Sequence, residues 1–513
     1  MASAPQITLG LSGATADDVI AVARHEARIS ISPQVLEELA SVRAHIDALA
    51  SADTPVYGIS TGFGAMSDTR IDAADREALQ ANLVRSHAAG AGSELDTAAV
   101  RALLVTRLNA LAKGYSGIRE RVLDVLVGLL NEGVHPVVPS RGSLGASGDL
   151  APLAHMSRVL IGEGQATDVA GERMPAAEAL AAADLEPVTL QAKEGLALIN
   201  GTQLTTGVAA LALVDAERVL RSADTAGALT TEVTMSTTAS CAPAIHEPVR
   251  PHDGQAVSAR HIRNLTAGSE VLDHHRDCDG RVQDAYSIRC LPQVHGAVRD
   301  ALDHLRAAVA TELNSATDNP LVFPSGTVVS GGNFHGEVLA LRLGYAASAL
   351  AELAAISERR TDRLLNPETQ EPLEPFLAPD SGLHSGLMIP QYTAASLVND
   401  LRSLGQPATL DNASVSGAQE DHVSMSAGAA YNFREAVEKA ATVVGVELLC
   451  GAQGREFLDP LALGAGTAAA YDLVRSEVSE PAGDRALADD MAAVGDLVRA
   501  GLVEDAVARA LDA

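Results

Sequence analysis

A mainly α-helical fold with a long bundle follows from three features of this sequence. Apolar residues recur at steps of three and four, strand-like alternation is scarce, and the apolar content comes from small side chains. Although 47% of the 513 residues are hydrophobic, aromatics are 3% and Trp is absent. Burial therefore rests on Ala, Leu and Val, which lets helices approach closely.

The elements follow in chain order. Thr15 stands at the start of a helix over 17–27, and a second helix over 97–113 stops at Gly114. A third occupies the apolar stretch 207–220. Val298, Leu302, Leu305, Val309 and Leu313 share one face of a helix that ends before the turn at 314–320. The next helix, over 337–360, is apolar nearly all round and roughly 35 Å long at about 1.5 Å per residue, as suits a helix central to a bundle. Residues 57–68 and 136–150 read as Gly-rich and Ser-rich loops between helices. The expected division is a loop-rich part over 1–200 and a long-helix bundle with C-terminal helices over 201–513, which could equally form one continuous unit.

Acidic residues exceed basic ones by 29, so phosphates would be repelled over most of the surface and a nucleic-acid partner is not expected. Cys241, Cys278, Cys290 and Cys450 are scattered and form no CxxC pair, which fits a reducing cytoplasm rather than a disulfide framework. No signal peptide is apparent. The apolar segment 338–356 is interrupted by Arg342 and Glu352, so no membrane span is expected. Asp273, His274, His275, Asp277, Cys278 and Asp279 cluster within seven positions, but their spacing matches no standard metal site. An acidic surface loop is the simpler account, and no metal is expected.

The run RGSLGASGDL at 141–150 places three glycines at three-residue spacing before a helical segment. It lacks the Lys-Ser/Thr of a P-loop and is not GxGxxG after a strand, which argues against a phosphate cradle. Here the sequence resembles the aromatic amino acid ammonia-lyase family, whose internal Ala-Ser-Gly cyclises into methylidene-imidazolone (MIO). The resemblance runs from Tyr57 to Met425 through YGISTGFG, NLVRSHAAG, LINGTQ, VQDAYSIRC, SATDNP, GGNFHGE and QEDHVSM, and is weakest at the ends and around 165–190.

The resemblance implies a loop-rich N-terminal part in which Ala146, Ser147 and Gly148 form MIO autocatalytically, without an external cofactor. Gly148 leaves the attacking nitrogen unobstructed, Gly145 permits an abnormally tight turn, and Ser147 supplies the hydroxyl lost to make the methylene. Asp149 is placed to help with proton transfers.

By the same resemblance Tyr57 is the base near the substrate β-carbon. An ordinary phenol titrates near 10, so bringing it to about 7 needs roughly 4 kcal/mol of phenolate stabilisation. Taken alone, Tyr57 would be a tyrosine packed beside Gly58. Arg289 corresponds to the arginine that grips the substrate carboxylate, a task suited to a planar fork. Tyr286 corresponds to a second catalytic tyrosine, on the same face as Arg289 if the segment is helical. Asn200 and Gln283 correspond to amides that position MIO and substrate, and Phe334 walls the pocket.

Ser86-His87 occupies the ring-reading position, where relatives acting on phenylalanine resemble Phe-Leu and those acting on tyrosine resemble His-Leu. Glu420 stands where the histidine-specific class carries Glu. Pairing His87 and Glu420 with the two imidazole nitrogens implies L-histidine as substrate and urocanate as product. Leaving either unpaired against a phenyl ring would cost about 1–3 kcal/mol. Ala285, Ile288 and the stretch NDLRSLGQPATLDN at 399–412 depart from the usual pattern. They keep phenylalanine or tyrosine elimination, aminomutase activity and a non-catalytic helical scaffold as alternatives. Relatives assemble as homotetramers whose sites draw residues from several chains.

Overall fold

The computed structural model describes residues 5–52, 56–64, 69–275, 282–368, 373–410, 412–480 and 483–512. Helices dominate. The described strands are two to four residues long and form sheets of two or three strands, too short for alternation to register in the sequence.

The first helix, Ala16–Arg24, begins at a reciprocal cap. The Thr15 side chain accepts from Asp18 N at 3.1 Å while the Asp18 carboxylate accepts from Thr15 N at 2.8 Å. Helix Thr97–Ala112 takes its cap one residue earlier, where Asp96 accepts from Ala99 N at 2.9 Å. The apolar stretch 207–220 lies within a much longer helix, Gln203–Val233. All five residues of the stripe on helix Leu291–Leu313 are at most 2% exposed.

The chain divides into two compact units. The first comprises Met1–Leu211, Arg306–Leu343 and Pro407–Tyr431, and the second Ala212–Leu305, Gly344–Gln406 and Asn432–Ala513. In the first, helix Thr97–Ala112 is buried at every position from Ala99 onward. At Gly207 a Cβ would lie 3.0 Å from the carbonyl carbon of Ala102, so a small residue sets the helix–helix spacing. In the second, Glu447 ties long helices together. It accepts from Thr230 Oγ1 at 2.8 Å, from Ser357 Oγ at 2.6 Å, and from Arg360 at 2.6 and 2.9 Å, and Arg360 Nη1 also reaches His295 Nε2 at 3.3 Å.

Helix Glu337–Leu365 is long and apolar enough to cross a membrane by length and composition alone, yet half of its most apolar window is buried inside the protein. Leu339, Leu343, Leu350 and Leu353 are fully buried, whereas Val338, Leu341 and Tyr345 form a stripe that is about half exposed. Cys241, Cys290 and Cys450 are free thiols. Asp277, Cys278 and Asp279 of the acidic run, like loop residues 65–68, lie outside the described residues.

Candidate active site

The glycine loop is held from three sides, all within the first unit. Its own backbone imposes the first demand: Gly145 and Gly148 have φ of +70° and +72°, a region costly for residues with a Cβ. A Cβ on Gly148 would fall 2.1 Å from the carbonyl oxygen of Gly201. The block around 419–425 supplies the second restraint, with Met425 N donating to Leu144 O at 2.7 Å and Ser424 Oγ to Gly145 O at 3.0 Å. Gly336 N, from the GGNFHGE block, donates to the same Gly145 oxygen at 3.1 Å.

LINGTQ provides the third restraint. Asn200 Nδ2 donates to Ser147 O at 3.1 Å, and Asp149 N donates to Gly201 O at 2.7 Å. Asp149 is completely buried, where its carboxylate accepts from Ser143 Oγ at 2.7 Å and Thr205 N at 2.8 Å. Burial raises its pKa, only partly opposed by these hydrogen bonds.

A cavity of about 520 Å³ opens beside this loop. It brings together six of the residues singled out in the sequence: Tyr57, Ala146, Ser147, Asn200, Phe334 and Glu420. Ser147 Oγ donates to Glu420 Oε1 at 2.8 Å across 273 positions of sequence. The wall also includes Asn319, His335, Gln419, Asp421 and His422, to which the sequence analysis assigned no role although they lie in or beside its quoted blocks. His335 and His422 stack with ring centroids 5.4 Å apart.

Tyr57 meets an environment opposite to the one a phenolate needs. Burial raises its pKa, the 3.4 Å hydrogen bond from Gly64 N lowers it, and the charges of Glu420 and Asp318 raise it further. Phe63 packs edge-on at 6.4 Å.

His87 is not among the residues lining the cavity. It ends helix Arg76–His87 with its ring turned back, Nδ1 lying 2.9 Å from Leu83 O. Gln283, Tyr286 and Arg289 belong to the second unit. There Tyr286 and Arg289 share the short helix Tyr286–Arg289, with the guanidinium 4.7 Å from the Tyr286 ring centroid, and Arg289 donates to the Gln283 side chain. Tyr286 is 71% exposed.

A model of the aromatic amino acid lyase family matches residues 14–476. The chain belongs to that family. A probable histidine ammonia-lyase of Halobacterium salinarum is 91% identical over 510 residues, 96% of each chain. A histidine ammonia-lyase of Symbiobacterium thermophilum is 49% identical over 494 residues, again 96% of each. Among solved structures, histidine ammonia-lyase from Trypanosoma cruzi superposes with a TM-score of 0.91 at 40% identity, over 98% of this chain and 95% of that one. Tyrosine aminomutase from Streptomyces globisporus gives 0.93 at 36% identity, over 99% of both. The match extends past the quoted blocks on both sides, to residues 14 and 476.

Proposed function

We propose that this chain eliminates ammonia from L-histidine to give urocanate, with an electrophile made from Ala146, Ser147 and Gly148. The observation that carries the chemistry is the suspended loop: Ser147 hydrogen-bonded to both Asn200 and Glu420 on the wall of an amino-acid-sized cavity. The residues present fit an MIO group, since Gly148 sits where no side chain could, and Asn200 already donates to the carbonyl that the ring would retain. That group, once formed, supplies an electrophile that turns the substrate amine into a leaving group.

Glu420 supports histidine as the substrate. Cyclisation consumes the Ser147 hydroxyl, which frees Glu420 Oε1 to accept from an imidazole N–H, a bond that a phenyl ring cannot offer. His87, with its ring turned back onto Leu83 O, lies outside the cavity lining, so the reading of the imidazole rests on Glu420. The tyrosine aminomutase likeness keeps tyrosine as the second substrate to test.

Tyr57 takes the β-proton in this scheme, from a setting in which burial and the charges of Glu420 and Asp318 raise its pKa. The exposed Tyr286 and the half-buried Arg289, on one short helix, are suited to complete a neighbouring chain's site in a homotetramer. The exposed stripe of Val338, Leu341 and Tyr345 offers an apolar face for that assembly.

Intact-mass measurement checks the electrophile: the parent chain is expected to weigh two waters less than its sequence, and Ser147→Ala to lose neither ring nor activity selectively but both. Equal concentrations of histidine, phenylalanine and tyrosine then test the substrate. Preferential release of cinnamate or coumarate would overturn the histidine assignment.

A further inference from the structure

Arg107 lies on helix Thr97–Ala112 and is 1% exposed. Its hydrogen-bond partners among the described residues are the carbonyl oxygens of Ala197 and Asn200, the latter at 3.0 Å, and the side-chain oxygen of Gln203. None of these is a carboxylate. Burial lowers its pKa to about 10, with the more distant charges of Asp318 and Asp149 pulling the other way, so it stays charged at neutral pH. A buried cation without a hydrogen-bonded carboxylate is costly to desolvate. Stability alone therefore gives weak grounds for placing an arginine here.

Its location gives better grounds. Ala197 lies in the last turn of helix Glu194–Ile199 and Asn200 is its C-cap, so their carbonyls are among the groups that a helix end leaves without backbone partners. From the segment they close, Asn200 Nδ2 reaches Ser147 O and Gly201 O receives Asp149 N. Those two bonds flank Gly148. Gln203 meanwhile donates from Nε2 to Thr317 Oγ1 at 2.7 Å. Gly201, at φ +146°, is closely covered: a Cβ there would lie 2.7 Å from Arg107 Nη1 and 2.4 Å from Gln203 Oε1.

We infer that Arg107 is a positioning residue for self-cyclisation: it locks Asn200 and Gly201, which in turn hold the loop on both sides of Gly148. The inference rests on the proposed function and adds to it a residue that never touches the ring. Ring closure joins Gly148 N to the carbonyl carbon of Ala146. The Ala146 oxygen leaves as water with the amide hydrogens of Ser147 and Gly148, and the Ser147 hydroxyl leaves with its own α-hydrogen as a second water. Because the attacking nitrogen must be aligned with the carbonyl, a displacement of about 1 Å costs on the order of 10²-fold in rate.

The test is a time course of intact mass on freshly synthesised full-length protein, at a temperature well below melting. Parent, Arg107→Lys and Arg107→Met are compared, with circular dichroism reporting the fold. Arg107→Met is expected to fold and to lose its two waters about 10²-fold more slowly, with Arg107→Lys between it and the parent. A purely structural role would move the melting temperature and leave this rate unchanged. A folded Arg107→Met that cyclises at the parental rate overturns the inference. Should Arg107→Met not fold, Arg107→Lys decides, because it keeps the charge and gives up the planar fork: cyclisation slower than the parent's supports the lock, and a parental rate removes it. A parent chain that never loses two waters defeats the proposed function itself, whereas a cyclising parent with an indifferent Arg107→Met defeats only this inference.

Discussion

Arg107 in the first unit and Arg360 in the second are the most deeply buried arginines among the described residues, and they are used in opposite ways. Arg360 meets both oxygens of Glu447, itself completely buried, and the pair is finished by Ser357 and Thr230. Asp224 in the same unit is likewise surrounded, by His295 at 2.8 Å, His261 at 3.0 Å and Arg299 at 2.8 Å. The first unit also has a closed pair, Lys193 with Asp318 at 2.5 Å. Beside its reactive loop, however, it keeps a cation bonded only to neutral oxygens, together with glycines at positive φ. The Arg360 pair joins helices, while Arg107 lies beside glycine backbone at positive φ next to the loop where chemistry is to be done.

The harshest way to break this contrast is Gly148→Ala, which puts a methyl against the Gly201 oxygen at a positive φ. Both the loss of two waters and ammonia release are expected to be abolished in a folded chain. An active, cyclised Gly148→Ala protein would show that the loop is not strained in the way described. Tyr57→Phe comes next. It removes only the phenol oxygen and is expected to lower kcat by roughly 10²-fold to 10⁴-fold while intact mass stays that of the cyclised parent. Turnover near the parental value would pass the base role to Tyr286 or Glu420.

On the other side of the comparison, Glu447→Leu strands Arg360 and is expected to cost about 3–5 kcal/mol in denaturant unfolding. Replacing both partners, as Arg360→Met with Glu447→Leu, is expected to recover most of that loss. Equal stability of the single and double variants would deny that the pair works as a structural unit.

The smallest effects are in pH dependence, and they too separate the units. Burial, helped by the charge of Arg101, lowers the pKa of His135 in the first unit to about 4. The folded state therefore keeps it neutral while the unfolded chain takes up a proton as pH falls through about 6.5. Stability from this group is full above about 6.5 and is lost as pH falls toward 4. His135→Gln is expected to flatten the melting temperature over that window. In the second unit burial raises the pKa of Asp224, but hydrogen bonds from His261 and His295 and the charge of Arg299 outweigh it and hold the carboxyl below the usual range. Its contribution is present above about pH 4 and lost in stronger acid, so Asp224→Asn should lower the melting temperature throughout the range above about pH 4 and flatten the acid limb. Matching acid profiles for the two variants would erase the distinction.

Local patterns were legible because they are written in short spans. The stripe from Val298 to Leu313 needs only a 3.6-residue period to be recognised, and it is buried throughout. The Ala146-Ser147-Gly148 run and its glycine spacing need only neighbouring residues. Thr15 announced its cap, and the helix expected to begin at Thr97 does begin there, capped by Asp96. Periodicity says which face of a helix is covered, but it cannot say by what. Only the tertiary structure brought Glu420 onto Ser147 from 273 positions away, set His335 against His422, and surrounded Tyr57 with groups that disfavour its phenolate. Arg107 is the sharpest case. In the sequence it is one more arginine in an apolar helix, and its meaning depends on which oxygens reach it, a matter of packing between segments at least 90 residues apart.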